Sequence, residues 1–336
     1  MSEHAKTTGS KAAAAWSFAL RFQSFFGLIA IFILSVILSP IRDGNIVFLN
    51  PENLLNILRF ASENGIIAIG MTLVILTGGI DLSVGAVLAL CAVAAASALM
   101  KMGLGTGATV GLVLGLGALV GLVNGVVTTR LRVQSFITTL AMLSVARGAA
   151  SLWAGGYAIP LAFGPAAAPP AFKSLFAGTI PLPGIGLPVQ ILYFAVAGII
   201  ASVVLRRTTF GRHVYAVGSN EGATHLSGVA VDRVKVIVFV VSGFLAGLAA
   251  LLHAALVNQG SHIDGSGYEL NAIAAVVIGG ASLMGGTGTV IGSMAGALIL
   301  SILDNILGLR NIASEYQMIL KGAIIVFAVL LQRARR

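Results

Sequence analysis

The sequence predicts an all-α, polytopic integral membrane protein of about ten transmembrane helices, with both termini cytoplasmic. Three observations predict it: of 336 residues 57% are hydrophobic, only 9% are charged, and uncharged apolar runs recur at membrane-spanning length. Soluble domains carry roughly 25% charged residues, and a run of about 20 apolar residues crosses a bilayer. A water-soluble enzyme is therefore excluded. The single cysteine, Cys91, lies in an apolar run, which removes an internal disulfide and any multi-cysteine metal centre.

The first 21 residues are small and polar and include Lys6, Lys11 and Arg21. They read as a cytoplasmic tail, followed over 22–336 by one transmembrane domain. The uncharged stretch 22–39 has no A-x-A cleavage site close behind it and reads as a retained anchor. Further spans are expected near 54–78, 82–100, 106–129, 133–155, 189–205 and 236–257. The uncharged run 270–303 is too long for one crossing, since as a single helix it would measure about 51 Å against a hydrocarbon core of about 30 Å. It is expected to break in the glycine-rich stretch 279–288, giving spans near 270–284 and 288–308, and a last span is expected near 315–332.

Charge placement orients these spans. The loops assigned to the inside hold thirteen basic residues against three acidic ones, and the outside loops hold four against five. The positive-inside bias thus accounts for the net charge of +9 and leaves no case for a nucleic-acid partner.

Two loops exceed simple connections. The external stretch 156–188 holds six of the nine prolines between Pro160 and Pro183, with Pro188 closing it, so it is expected to lack regular structure. The inside loop 206–235 is long and polar. Within it Ser219-Asn220-Glu221 has the chemistry of a helix start, and Ser227-Gly228 that of a stop. A helix of about two turns lying along the membrane surface is expected there, either as a docking element or as a connector.

Ionisable groups at membrane depth are costly and mark functional candidates. Arg59 and Glu63, four apart, are expected to pair. Asp81 interrupts the apolar stretch Thr77-Gly78-Gly79-Ile80-Asp81-Leu82-Ser83, where Asp81 or Ser83 either caps the next helix or lines a transport route. Asn124, Arg147, His253, Asp304, Asn305 and Lys321 complete the set, with Asp304 and Lys321 on consecutive spans. His253 reads as hydrogen-bonded scaffold. Gly78, Gly79, Asp81, Ser83, Asn124, Gly279 and Gly280 are the candidates for a path or gate.

Glycines recur at four-residue spacing at Gly111 and Gly115; Gly117, Gly121 and Gly125; Gly243 and Gly247; and Gly288, Gly292 and Gly296. In lipid that spacing lets helix backbones approach closely. No G-x-x-x-x-G-K-[ST] phosphate loop, H-E-x-x-H or G-x-S-x-G motif occurs, so ATP hydrolysis by this chain is not expected. A faint echo of the stretch 119–124 at 298–305, in opposite orientation, suggests an inverted repeat.

Three stretches carry a family resemblance. They are Gly70 to Gly85, with Thr77-Gly78-Gly79-Ile80-Asp81-Leu82-Ser83-Val84-Gly85 at its end; Gly211 to Val229, including Gly218-Ser219-Asn220-Glu221-Gly222-Ala223 and Leu226-Ser227-Gly228; and Ile278 to Gly288. Together they resemble the ribose/xylose-type permease subunits of bacterial ABC sugar importers, over a similarity running from about residue 50 to the C-terminus. The resemblance implies a ten-span permease working as a pair in the inner membrane. A separate cytoplasmic ATPase would hold ATP and magnesium, and a separate periplasmic sugar-binding protein would deliver substrate. It implies that the loop from Gly218 to Gly228 is the coupling helix that sits in a cleft of the ATPase. Its contacts would come from Gly218, Ser219, Asn220, Glu221, Gly222, Ala223, Leu226, Ser227 and Gly228. No catalytic residue, metal or cofactor is expected on this chain, and its remaining partner is membrane lipid. The rival expectations are an ion-gradient-driven secondary carrier and an ABC permease for a nucleoside or branched-chain amino acid.

Overall fold

The computed structural model describes residues 23–161, 168–182 and 185–333. The tail 1–21 and the final three residues lie outside the described residues, as do Pro165 and Pro183. The first block holds α1 (Gln23–Ile37), α2 (Pro51–Leu76), α3 (Val84–Met100), α4 (Thr106–Arg130) and α5 (Ser135–Ala154). A short α6 (Pro170–Ala177) follows in the 156–188 connection, then α7 (Val189–Arg207), α8 (Thr209–Ser219) and α9 (Glu221–Leu226). The chain closes with α10 (Val231–Val257), α11 (Tyr268–Ile278), α12 (Val290–Leu309) and α13 (Ser314–Arg333).

Each of the ten stretches expected to span carries a helix. Six of these helices, α2, α4, α5, α7, α10 and α12, are long and apolar enough to cross a membrane, whereas α1, α3 and α11 are shorter. The expected span 270–284 is corrected: α11 has 11 residues, about 16 Å of helix, and cannot cross about 30 Å of hydrocarbon. The break after Gly279 falls where expected, but the missing depth is made up on the other side by the loop 258–267.

The 156–188 connection is also corrected. It contains α6 and a ribbon of Thr179–Leu182 paired antiparallel with Ile185–Pro188, and Ile159–Pro160 pairs with Gln259–Gly260. Proline is tolerated at each place for a stated reason. Pro170 starts α6, where the missing N–H has no helical partner, and Pro181 and Pro188 sit in a two-strand ribbon whose strands are both edges.

The core is built on α2, α3 and α10. α3 is buried on every side from Val84 to Leu99, as a helix apolar all round must be. α1 and α7 instead turn large apolar side chains outward, including Phe26, Ile29 and Ile33 on α1 and Ile199, Ile200 and Val203 on α7. The glycine spacing works as expected between α4 and α10: a Cβ on Gly117 would strike the Gly243 carbonyl, and one on Gly125 would stand 2.8 Å from Val236 Cα. Gly292 and Gly296 likewise seat α12 against Gly279 and Ala275. Gly111 and Gly115 depart from the expectation, because they face open space.

Helices α2 to α5 and α10 to α13 form two copies of one unit. Their starts are offset by 180, 184, 184 and 179 residues. The packing is reciprocal, with α4 against α10, α12 against α2, and α2 against α10. Thr77 and Gly78, at the end of α2, line the same cleft as Val231 and Asp232 at the start of α10, so the copies run in opposite directions. The repeat also appears in sequence, since Ile80-Asp81-Leu82-Ser83 after α2 is matched by Ile263-Asp264-Gly265-Ser266 after α10.

Candidate functional site: a coupling elbow and two re-entrant loops

On the face that carries the 206–235 loop, Asn220 caps α9 by accepting a hydrogen bond from the Ala223 N–H at 2.9 Å, and Glu221 occupies the first turn. Gly228 follows at φ +84°, the left-handed position that ends a helix without a Cβ penalty. The expected surface helix is therefore present. Glu221, Gly222, Ala223, Ser227 and Gly228 are exposed, and Leu226 is 88% exposed, so an unaccompanied apolar side chain projects from α9.

The preceding helix, α8, is not apparent from composition. Its signal is the three-residue recurrence of Gly211, Val214 and Val217, all buried, behind a Thr208 cap whose Oγ1 accepts from the Gly211 N–H at 3.2 Å. Its last turn is tightly seated. A Cβ on Gly218 would collide with the Leu76 carbonyl, and the Gly286 N–H donates to that same oxygen at 3.0 Å. Tyr215 donates its hydroxyl to the Gly288 carbonyl at 2.9 Å. Burial pushes the Tyr215 phenol above its ordinary range, with Arg206 pulling partly back, so it remains a donor at neutral pH. The three stretches carrying the family resemblance, far apart in sequence, thus meet where α8 abuts the end of α2 and the 285–288 turn. Gly285 and Gly286 take φ +88° and +73° in that turn, and Gly280 takes +88° just before it.

A polar cleft of about 580 Å3 opens beside this elbow, bounded by Gly78 and Gly79, the α4–α5 corner, α9 and the first turn of α10. Lys235 reaches across to Glu221 at 2.7 Å.

Deeper in, the structure joins three candidates into one network. Asp81 Oδ1 accepts from the Ser83 N–H at 3.0 Å and from its hydroxyl at 2.6 Å; Asp81 Oδ2 accepts from Ser242 at 3.0 Å. Asn124 Nδ2 donates to Ser83 Oγ at 2.9 Å. Ser83 stands at the N-cap of α3 but makes no side-chain capping bond, so of the two residues read as caps it is Asp81 that meets a backbone N–H at the start of α3, that of Ser83. The Asp81 carboxylate joins its own loop to α10 through Ser242, and Ser83 extends the network to α4 by accepting from Asn124. All four side chains are buried, and a buried carboxylate persists only when its acceptors are filled in this way. Gly78 stands at φ +77° with nearest approach to the Met284 carbonyl, and Gly79 lies against Val74 and Ser135.

A second polar cluster lies between the parts of these helices away from the elbow and is not assembled by sequence reasoning. Glu63 Oε2 of α2 lies 2.9 Å from His253 Nδ1 of α10, and His253 Nε2 lies 3.7 Å from Asp264 Oδ1. Arg147 of α5 donates to the carbonyls of His262 and Asp264 at 2.5 and 2.6 Å. The expected Arg59–Glu63 pair is thereby corrected: Glu63 turns inward to His253, while Arg59 donates to Asn56 at 3.2 Å. His253 is hydrogen-bonded, as read, and Lys321 meets Asp304 at 2.8 Å. The legible signal for this cluster is the repeated Ile-Asp-x-Ser.

The loop 258–267 runs into the molecule along α3, with Gly260 against the Ala92 carbonyl and Gly265 against that of Gly85. From Met100 at the end of α3 to Gly85 is about 22 Å of helix. The loops 77–83 and 258–267, entering from opposite faces, therefore meet inside the bundle, and the N-termini of α3 and α11 start from that meeting point. Broken helices around buried irregular backbone are a recurrent construction in transporters.

The family model "Branched-chain amino acid transport system / permease component" matches residues 53–329. The chain belongs to this permease family. Ribose import permease protein RbsC of Haemophilus influenzae is 44% identical over 302 residues, covering 90% of each chain. RbsC of Bacillus subtilis is 40% identical, covering 93% of this chain and 94% of its own. Xylose transport system permease protein XylH of Haemophilus influenzae is 33% identical, covering 91% and 95%. No solved structure matches the permease at a significant level.

Proposed function

We propose that this permease is the membrane-spanning subunit of an ATP-binding-cassette importer for a monosaccharide or closely related polyol. The observation that carries the reading is identity of 40–44% with ribose import permeases over nine-tenths of the chain. The branched-chain amino-acid title of the family model describes a wider group, and the individual relatives favour a sugar. In this reading the chain crosses the inner membrane ten times with both termini in the cytoplasm. The 206–235 loop is cytoplasmic and 156–188 is periplasmic. Two copies form the passage, a separate ATPase with ATP and magnesium supplies energy, a periplasmic binding protein delivers the sugar, and lipid surrounds the rest.

The elbow gives a mechanical route. Leu226 and the exposed face of α9 seat in the ATPase, so movement of the partner moves α8 and α9 together. Because Gly218 is wedged against Leu76 and Gly286, with Tyr215 holding Gly288, the displacement passes to the end of α2 and the 285–288 turn. Those are the supports of α3 and α12, and thus of the re-entrant loops. Asp81, Ser83, Asn124, Gly79 and Gly279, all buried, act as gate supports, while Gly78 and Gly280 are exposed and Gly78 and Gly79 border the polar cleft.

The test is sugar-stimulated ATPase activity of the assembled complex carrying Glu221→Arg with Gly222→Arg, and separately Leu226→Glu. Both are expected to abolish stimulation while insertion of the permease is retained. Unchanged stimulation would contradict the docking role.

A further inference from the structure

Charges and small polar groups are unevenly placed on the outward surface of the bundle. α1 and α7 present large aliphatics to their surroundings, as lipid requires. α5 also exposes Leu140, Val145 and Leu152, but unlike α1 and α7 it sets Ser144, Arg147 and Ser151 among them on one face at three- and four-residue spacing, with Ser144 exposed and Arg147 and Ser151 partly exposed. Arg147 stands seven residues from the outer end of α5, about 10 Å down the helix, where a guanidinium facing hydrocarbon is strongly disfavoured.

The re-entrant segment held by Arg147 continues the same surface. Ser266 is exposed, Ile263 is 64% exposed, and His262 and Glu269 are partly so. His262 Nδ1 and Glu269 Oε2 are buried without hydrogen-bond partners, and behind them Glu63, with its side chain 1% exposed, leaves Oε1 unpartnered. Buried polar atoms are satisfied in the great majority of cases, and a set of orphans around one face marks a place where water or a ligand supplies the missing partners.

We propose that this face of α5, together with the segment 261–266 and Glu269, is the outer part of the solute passage and contacts the travelling sugar through its hydroxyl groups. The inference rests on the importer reading above and names the chain's sugar-contacting surface within it. The chemistry matches a polyol. A hydroxyl both donates and accepts, so it can accept from the Arg147 guanidinium and donate to Glu269 or a serine oxygen, while Ile263 offers an apolar patch to the C–H face of the ring. In the Asp81 network both carboxylate oxygens are already engaged and Asn124 Oδ1 alone lacks a partner, so it offers a polyol fewer free polar atoms.

The experiment uses the complete importer in lipid vesicles, with Ser144→Cys, Ser266→Cys and, as a lipid-facing control, Ile199→Cys. The natural Cys91 is fully buried and stays silent. Each variant is first assayed for ATP-driven sugar uptake and then treated with a membrane-impermeant maleimide, with and without sugar-loaded binding protein under turnover. Ser144→Cys and Ser266→Cys are expected to react at least about tenfold faster than the control, because the thiolate that reacts is suppressed in apolar surroundings. Their labelling is expected to slow when sugar is being transported. Labelling no faster than the control in a complex that imports sugar would overturn the placement and leave the importer reading intact; labelling that sugar does not alter would overturn the contact. A wild-type complex that imports no sugar would instead refute the importer reading itself.

Discussion

Gly85 and Gly265 meet backbone to backbone where the two re-entrant loops converge. Gly265 holds φ +63°, and a Cβ placed on it would stand 2.7 Å from the Gly85 carbonyl oxygen; one on Gly85 would strike the Gly265 carbonyl in return. Neither neighbour is a flexible side-chain end that could swing aside. Gly85→Ala and Gly265→Ala are each expected to destabilise the permease by about 2–4 kcal/mol, the range for overpacking combined with backbone strain. Gly107→Ala, in open space on α4, should be neutral or slightly stabilising. Thermal unfolding in detergent distinguishes them.

The Asp81 network predicts a graded series. Asp81→Ala removes the acceptor for three donors and is expected to cost about 2–4 kcal/mol, because buried donors are left unpaired. Ser242→Ala removes one hydroxyl and should cost about 1 kcal/mol. Unfolding midpoints read in parallel give the order, and equal effects would show that Asp81 does not unite these segments.

Glu63 and His253 are expected to be coupled. Removing either partner alone leaves the other buried without its hydrogen bond, at about 1–3 kcal/mol. The double replacement Glu63→Leu with His253→Leu should cost clearly less than the sum of the single changes. The interaction energy from the double-mutant cycle is the quantity to measure, and additivity would refute the pairing.

Gly218 is expected to separate folding from coupling. Gly218→Val cannot be accommodated between the Leu76 carbonyl and the Gly286 amide, so α8 must move away from α2. The expected outcome is an inserted permease that still binds its ATPase but loses most sugar-stimulated ATP hydrolysis. By contrast the exposed Glu221–Lys235 pair should contribute only about 0–1 kcal/mol to stability, so Lys235→Ala should leave the unfolding midpoint nearly unchanged.

Much of this was legible in the sequence because lipid imposes a single strong rule, that a spanning helix must be apolar over its length. Run length placed the helices, the glycine spacing at Gly117, Gly121 and Gly125 placed the α4–α10 contact, and Asn220 with Gly228 bounded α9. What composition hid was re-entry. Asp264 and Glu269 read as external because charge normally marks a loop outside the membrane. Their partners, Arg147 and His253, sit on other helices, so no local spacing rule pairs them. Glu63 was assigned to Arg59 for the same reason: an i, i+4 rule sees only its own helix. The ribbon at Thr179–Leu182 escaped because proline was weighed as a breaker without regard to edge strands.

The most direct test of the central claim is solute accumulation by vesicles holding the purified permease alone, compared with vesicles holding it together with its ATPase and binding protein. The account predicts that sugar is concentrated only in the complete set and only with ATP. Concentration of any solute by the permease alone, driven by a proton or sodium gradient, would contradict it.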